Sequence, residues 1–161
     1  MTHLRLALAI CVLATAVATA SAAGADGSTT LRFLDVSVRS TPAFDAGHGD
    51  PRPGDRVFLA DALYSWHGAH RGALAGSGAS TLTFMSSFGQ HGATVDLTGQ
   101  LFLRGGSLRV EGVVQVKPGP NHFVIPIVGG TGRYVGTRGT IDLKDLGTSG
   151  DRSALEVHLA G

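Results

Sequence analysis

Cysteine is the first shortage. The chain has one, Cys11, and it lies inside an apolar run over residues 6–17 that follows Arg5. Small residues come next, with Ala-x-Ala patterns at Ala18 and Ala20 and again at Ala20 and Ala22. That order of features is a secretory signal peptide, so residues 1–23 are expected to be removed on export. The run is shorter than the roughly 18–20 residues a membrane span needs. Ile10 before Cys11 is not a small residue, which makes a poor lipid-attachment box. The expected product is therefore secreted, soluble and free of the membrane after cleavage. It keeps no cysteine, which excludes disulfides, metal–thiolate sites and cysteine nucleophiles.

Charge is also scarce. Lys and Arg number 13 against 12 Asp and Glu, for a formal net charge of +1. Arg5 leaves with the signal peptide, so the remainder is neutral by formal count. There is no basic stripe, and nucleic acid is not an expected partner. Helical patterning is missing too: beyond residue 23 no window carries a 3.6-residue apolar period. Six histidines lie beyond the signal peptide, but no His-x-His pair and no metal-binding helix is present, so no metal site is expected. No Gly-x-Ser-x-Gly elbow marks a serine hydrolase.

What the chain has is glycine, 24 residues of it, set between short apolar-alternating segments. Residues 24–30 read as a flexible leader. Strands are expected over 31–39, 55–64, 94–103, 108–117, 122–128, 140–146 and 153–160, with a further irregular one between 66 and 86. Alternation puts Leu31, Phe33 and Asp35 on one face of the first strand, and Val57, Leu59, Asp61 and Leu63 on one face of the second. Residues 104–107 make a hairpin turn. Residues 122–128 are apolar enough to expect cover on both faces. About eight strands at short spacing indicate an antiparallel barrel or sandwich in one domain over residues 31–161. Closure into a barrel removes exposed sheet edges.

The densest signal is FVIPIVGGTGRYVGTRG at residues 123–139. Its glycine spacing is not that of a nucleotide loop, because a strand rather than a helix follows. The element GGTGRYVGTRG resembles the GGTGRF-x-GARG signature of the dirigent proteins and their relatives with the allene oxide cyclase barrel. The flanks agree: VDLTGQLFLRGGSLRVEGVV is similar to the family's central hairpin, and GDRVFLADALY to its early strand. The resemblance runs over nearly all of residues 31–159 and looks most like the bacterial secreted members. It implies an eight-stranded antiparallel β-barrel with a largely apolar lumen, often assembled as a homotrimer. It also implies chemistry without metal or organic cofactor: stereoselective coupling of phenoxy radicals, or closure of a fatty-acid epoxide. The plant pattern has a His before the first-strand Asp, where this chain has Leu34.

Asp35 and Asp61 are the candidate catalytic acids, since a carboxyl on an apolar row has a raised pKa and can act as a general acid. The more ordinary reading of each is a structural tie to backbone or arginine. Arg138, the family's turn arginine, is the candidate to hold one of them. Tyr64, Trp66, Phe84 and Tyr134 are candidate contacts for a small apolar or aromatic ligand, or ordinary core, and Arg133 is a lesser candidate. Two functions stay open: a cofactor-free isomerase-like cyclase or radical-coupling guide, and a non-catalytic barrel that binds or interacts.

Overall fold

A computed structural model describes residues 28–42, 50–68, 70–148 and 150–160. The expected signal peptide and most of the expected leader lie outside these residues. Eight strands follow one another: β1 Thr29–Pro42, β2 Arg56–His67, β3 His70–Phe84, β4 Ala93–Leu103, β5 Gly106–Val116, β6 His122–Gly130, β7 Arg138–Asp145 and β8 Arg152–Ala160. Each pairs antiparallel with the next, and β1 pairs with β8, so the sheet is a closed barrel. The all-β, eight-stranded class expected from the sequence is what forms. Thr29 and Thr30, expected in the leader, belong to β1 and pair with Leu159 and His158.

Alternation builds the interior. Leu31 and Phe33 of β1, Leu63 of β2, Phe84 of β3 and Val95, Leu97 and Leu101 of β4 face inward. They meet Leu108, Val110, Val114, Ile125, Ile127, Ile141, Leu155 and Val157 from the other side. Leu63, Leu108, Ile141, Val95 and Val157 are fully buried. Removing such apolar surface from water, at about 25 cal/mol per Å², is the main force closing the sheet. Arg32 and Glu156 sit on the opposite rows and pair at 3.0 Å between β1 and β8.

β6 departs from expectation. Its outward residues His122, Val124 and Pro126 are exposed, so its second face has no cover among the described residues. The run is apolar because Phe123, Ile125 and Ile127 fill the core while Val124 and Pro126 stay outside. Pro126 has a further effect. β5 and β6 pair only at Leu108–Gly130, Arg109–Gly129 and Val110–Ile127. The ladder stops where Pro126 would be the next partner, and proline has no N–H to give.

The glycine turn joins β6 to β7 through a 3-10 turn, Gly132–Tyr134. It is clamped to the β4–β5 hairpin: Thr131 N–H donates to the Ser107 carbonyl at 2.8 Å and Arg133 N–H to that of Gly105 at 2.8 Å. Just beyond, Gly139 has φ +146°, and a Cβ there would meet the His158 carbonyl of β8. Gly136 has φ +78° but faces open space. Gly139→Ala should therefore destabilise by about 2–4 kcal/mol, and Gly136→Ala by only about 1 kcal/mol, in urea unfolding.

Candidate active site

The lumen row that crosses β7, β8, β1 and β2 turns polar at one end of the barrel. Asp35 pairs with Ser153 on one side and Leu63 on the other, and Ser153 pairs in turn with Asp145. One step along, Ser37 pairs with Asp61. Three carboxyls thus lie on inward rows, each flanked by a serine. Ser153 is buried, and its hydroxyl donates to Asp145 Oδ1 at 3.0 Å. Asn121, just ahead of β6, donates its backbone N–H to Asp145 Oδ2 at 2.8 Å.

Asp35 is the least satisfied of the three. Its Oδ1 is buried and has no hydrogen-bond partner. Burial first, then the charges of Asp61 and Asp145, push its pKa up to about 7, and a hydrogen bond with the Val36 backbone only partly offsets them. Asp61 is pushed up to about 6 by burial, against a hydrogen bond from Ser37. Among the described residues no salt bridge pairs either acid with a cation. Across the wall from Asp61 the lumen row of β3 carries Gly76 and Gly78 rather than bulky residues. A Cβ at Gly78 would sit 3.5 Å from the Asp61 carboxylate. Glycine at 78 thus keeps a side chain off the Asp61 carboxyl, and a neutral carboxyl is able to give a proton or a hydrogen bond.

The other expected site residues are elsewhere. Arg138 is not brought to the acids. It opens β7 while Asp145 ends it, roughly 23 Å away at about 3.3 Å per residue. Its guanidinium donates to the Val128 carbonyl at 2.8 Å, stapling the β6–β7 connection. Arg133 lies over the Tyr134 ring at 4.9 Å, and Tyr134 is buried at that same end of the barrel. Phe84 is on an inward row opposite Val95. Tyr64 pairs with Leu34 and shares its row, which faces away from the row of Leu63 and Asp35, and Trp66 follows on the same side. The Arg71 guanidinium covers the Tyr64 ring at 3.5 Å. Asp145 was overlooked in the sequence. The signal was there, since Ile141, Leu143 and Asp145 repeat the apolar row ending in an acid seen in β1.

The chain has the dirigent-like barrel fold. Three solved structures match it over most of their own length. One named pyocyanin demethylase aligns with a TM-score of 0.65 at 20% identity, covering 81% of this chain and 99% of that one. AbnU, an exo-specific intermolecular Diels-Alderase, aligns at 0.63 and 20% identity over 83% and 97%. The pterocarpan synthase dirigent protein PsPTS1 aligns at 0.65 and 16% identity over 83% and 94%. The sequence matches no protein-family model and no curated protein. At these identities the likeness is one of fold.

The raised acids have a stability consequence. Asp35 is protonated in the folded barrel up to about pH 7 but ionises near 3.8 when unfolded. The folded state therefore holds an extra proton between those values. The stabilisation is full below the unfolded pKa and is lost as pH rises through the folded one, with Asp61 acting in the same direction up to about 6. Asp35→Asn should raise stability above neutral pH by on the order of 2 kcal/mol and flatten the decline between about pH 4 and pH 7, measured by urea unfolding across pH.

Proposed function

We infer that this chain is an exported dirigent-like barrel that takes a small apolar or aromatic molecule into its lumen and guides a cofactor-free cyclisation or coupling. The observation that carries this is the buried, unpartnered Asp35 Oδ1, on a lumen row beside Asp61. A carboxyl in that setting keeps its proton near neutral pH and directs it at whatever occupies the lumen. Donation to a carbonyl, epoxide or quinone-methide oxygen withdraws electron density from the reacting carbons. The apolar walls hold one conformer of the ligand for ring closure or bond formation, which is catalysis by orientation. The net reaction adds and removes no atoms in a cyclisation, so the proton returns to the acid. The choice of reaction class draws on the fold neighbours, one named as a Diels-Alderase and another as a pterocarpan synthase.

A second function, binding without chemistry, is favoured by the five fully buried aliphatic side chains on the lumen rows. Product analysis separates the two. With wild-type protein, an intramolecular [4+2] substrate or a pair of phenoxy radicals should give a biased stereoisomer ratio. Asp35→Asn should cut the rate acceleration at least about tenfold. Product ratios and rates identical with and without the protein would remove the catalytic reading and leave the binder.

Assembly as a homotrimer belongs to the same proposal. The outer face of β1–β4 presents Leu34, Val36, Phe58, Ala62 and Phe102, with Phe58 and Phe102 exposed. Among the described residues the ion pairs lie on β5, between β6 and β7, on β8 and between β8 and the Arg32 end of β1. Phe102→Glu should shift the sedimenting species from trimer to monomer, since a desolvated unpaired charge in an interface is costly. A wild-type monomer in sedimentation velocity would refute the trimer.

A further inference from the structure

The unpaired stretch of the β5–β6 wall opens a pocket of about 470 Å³, a volume in the range of small-molecule sites. None of Asp35, Asp61 and Asp145 lines it, and its one link to the acids is Asn121, which bonds Asp145. Its rim carries two outward valines, Val113 at 62% and Val124 at 58% exposure. Phe123, from the inward row of β6, contributes as well. Asn121 braces the pocket. Its side-chain amide accepts from Lys117 N–H at 2.8 Å and donates to the Lys117 carbonyl at 3.2 Å, standing in for a missing strand partner. Its backbone N–H holds Asp145 of β7.

The charge of the lining is one-sided. Lys117 is its only full cation and makes no ion pair among the described residues. His122, also in the lining, is bonded to Asp142 at 2.8 Å. No carboxylate is among the described residues that line the pocket, and the nearby Asp142 and Asp145 are taken up by His122 and Asn121. Apolar surface at the rim, amides behind it and an unpaired ammonium together suit a ligand with an apolar body and a negative end. We propose that this pocket in the β5–β6 wall binds a small amphipathic carboxylate, its apolar body against Val113, Val124 and Phe123 and its carboxylate at Lys117. The Pro126 break in the ladder makes the site, because a complete ladder would join the two strands across it.

Two-dimensional amide NMR of the protein, titrated with 2-naphthoate and separately with neutral 2-naphthamide, tests this. Saturable shifts should centre on residues 113–124. Lys117→Gln should weaken naphthoate about fivefold and leave naphthamide unchanged, as loss of one partly exposed charge pair predicts. Val124→Glu, which places a carboxylate on the rim, should weaken naphthoate more than naphthamide. Both substituted positions are exposed, so both variants should keep the wild-type amide pattern. The proposal is overturned by the absence of saturable shifts at residues 113–124. It is overturned equally by shifts centred on Asp35 and Asp61 that Lys117→Gln does not alter.

Discussion

Closure of the sheet is the constraint on which everything else rests. β1 meets β8 from Thr29–Leu159 to Val36–Arg152, and with that pairing the sheet has no free end. A closed sheet gives every strand an inside and an outside, and alternation then allots each side chain to one of them. Apolar residues inside hold the barrel shut. A polar residue that falls on an inward row is desolvated whatever its neighbours. Asp35 and Asp61 are such residues, and their raised pKa values follow from the geometry of closure before any ligand is considered. The barrel must spend stability to keep them, which is the physical reason to look for function there.

Closure is not uniform around the ring. The β4–β5 seam is paired from Ala93–Val116 to Leu103–Gly106, whereas the β5–β6 seam is paired only near Leu108–Val110. The short ladder has a register shift between Arg109 and Val110 and stops at Pro126, whose ring nitrogen cannot donate to it. Asn121 compensates at the far end of the gap by bonding both backbone groups of Lys117 through its side chain. The wall therefore keeps its satisfaction at the two ends and opens between them.

Most of the strands, and the rows within them, were legible in the sequence because a period of two survives in a half-buried sheet. Leu31, Phe33 and Asp35 shared a face on paper and share one in the barrel. The same rule places Asp145 at the end of the row of Ile141 and Leu143, but the sequence reading passed over it. The errors have physical causes. Tyr64 was grouped with Phe84 for its aromatic character, but alternation sets it opposite Leu63 and outside the lumen. Cover over both faces of β6 was expected from composition, yet a single-layer wall leaves Val124 and Pro126 in contact with solvent. The pocket of the β5–β6 wall was not read at all, because it depends on which strands are neighbours, and that follows only from the closed topology.

The placement of Arg138 sharpens the account of the acids. Had the turn arginine reached Asp35, the pair would have kept the carboxyl ionised, since an opposite charge within hydrogen-bond reach favours the charged form. Instead Arg138 spends its guanidinium on the Val128 carbonyl at the far end of β7. The two ends of the barrel thus divide the work. The glycine turn, clamped to the β4–β5 hairpin and stapled by Arg138, fixes one end through backbone and side-chain bonds. The other end carries Asp35, Asp61 and Asp145, and among the described residues no salt bridge neutralises the first two. Burial first, and then the charges of Asp61 and Asp145, keep the Asp35 proton in place near neutral pH, and the distance of Arg138 leaves them unopposed from that side.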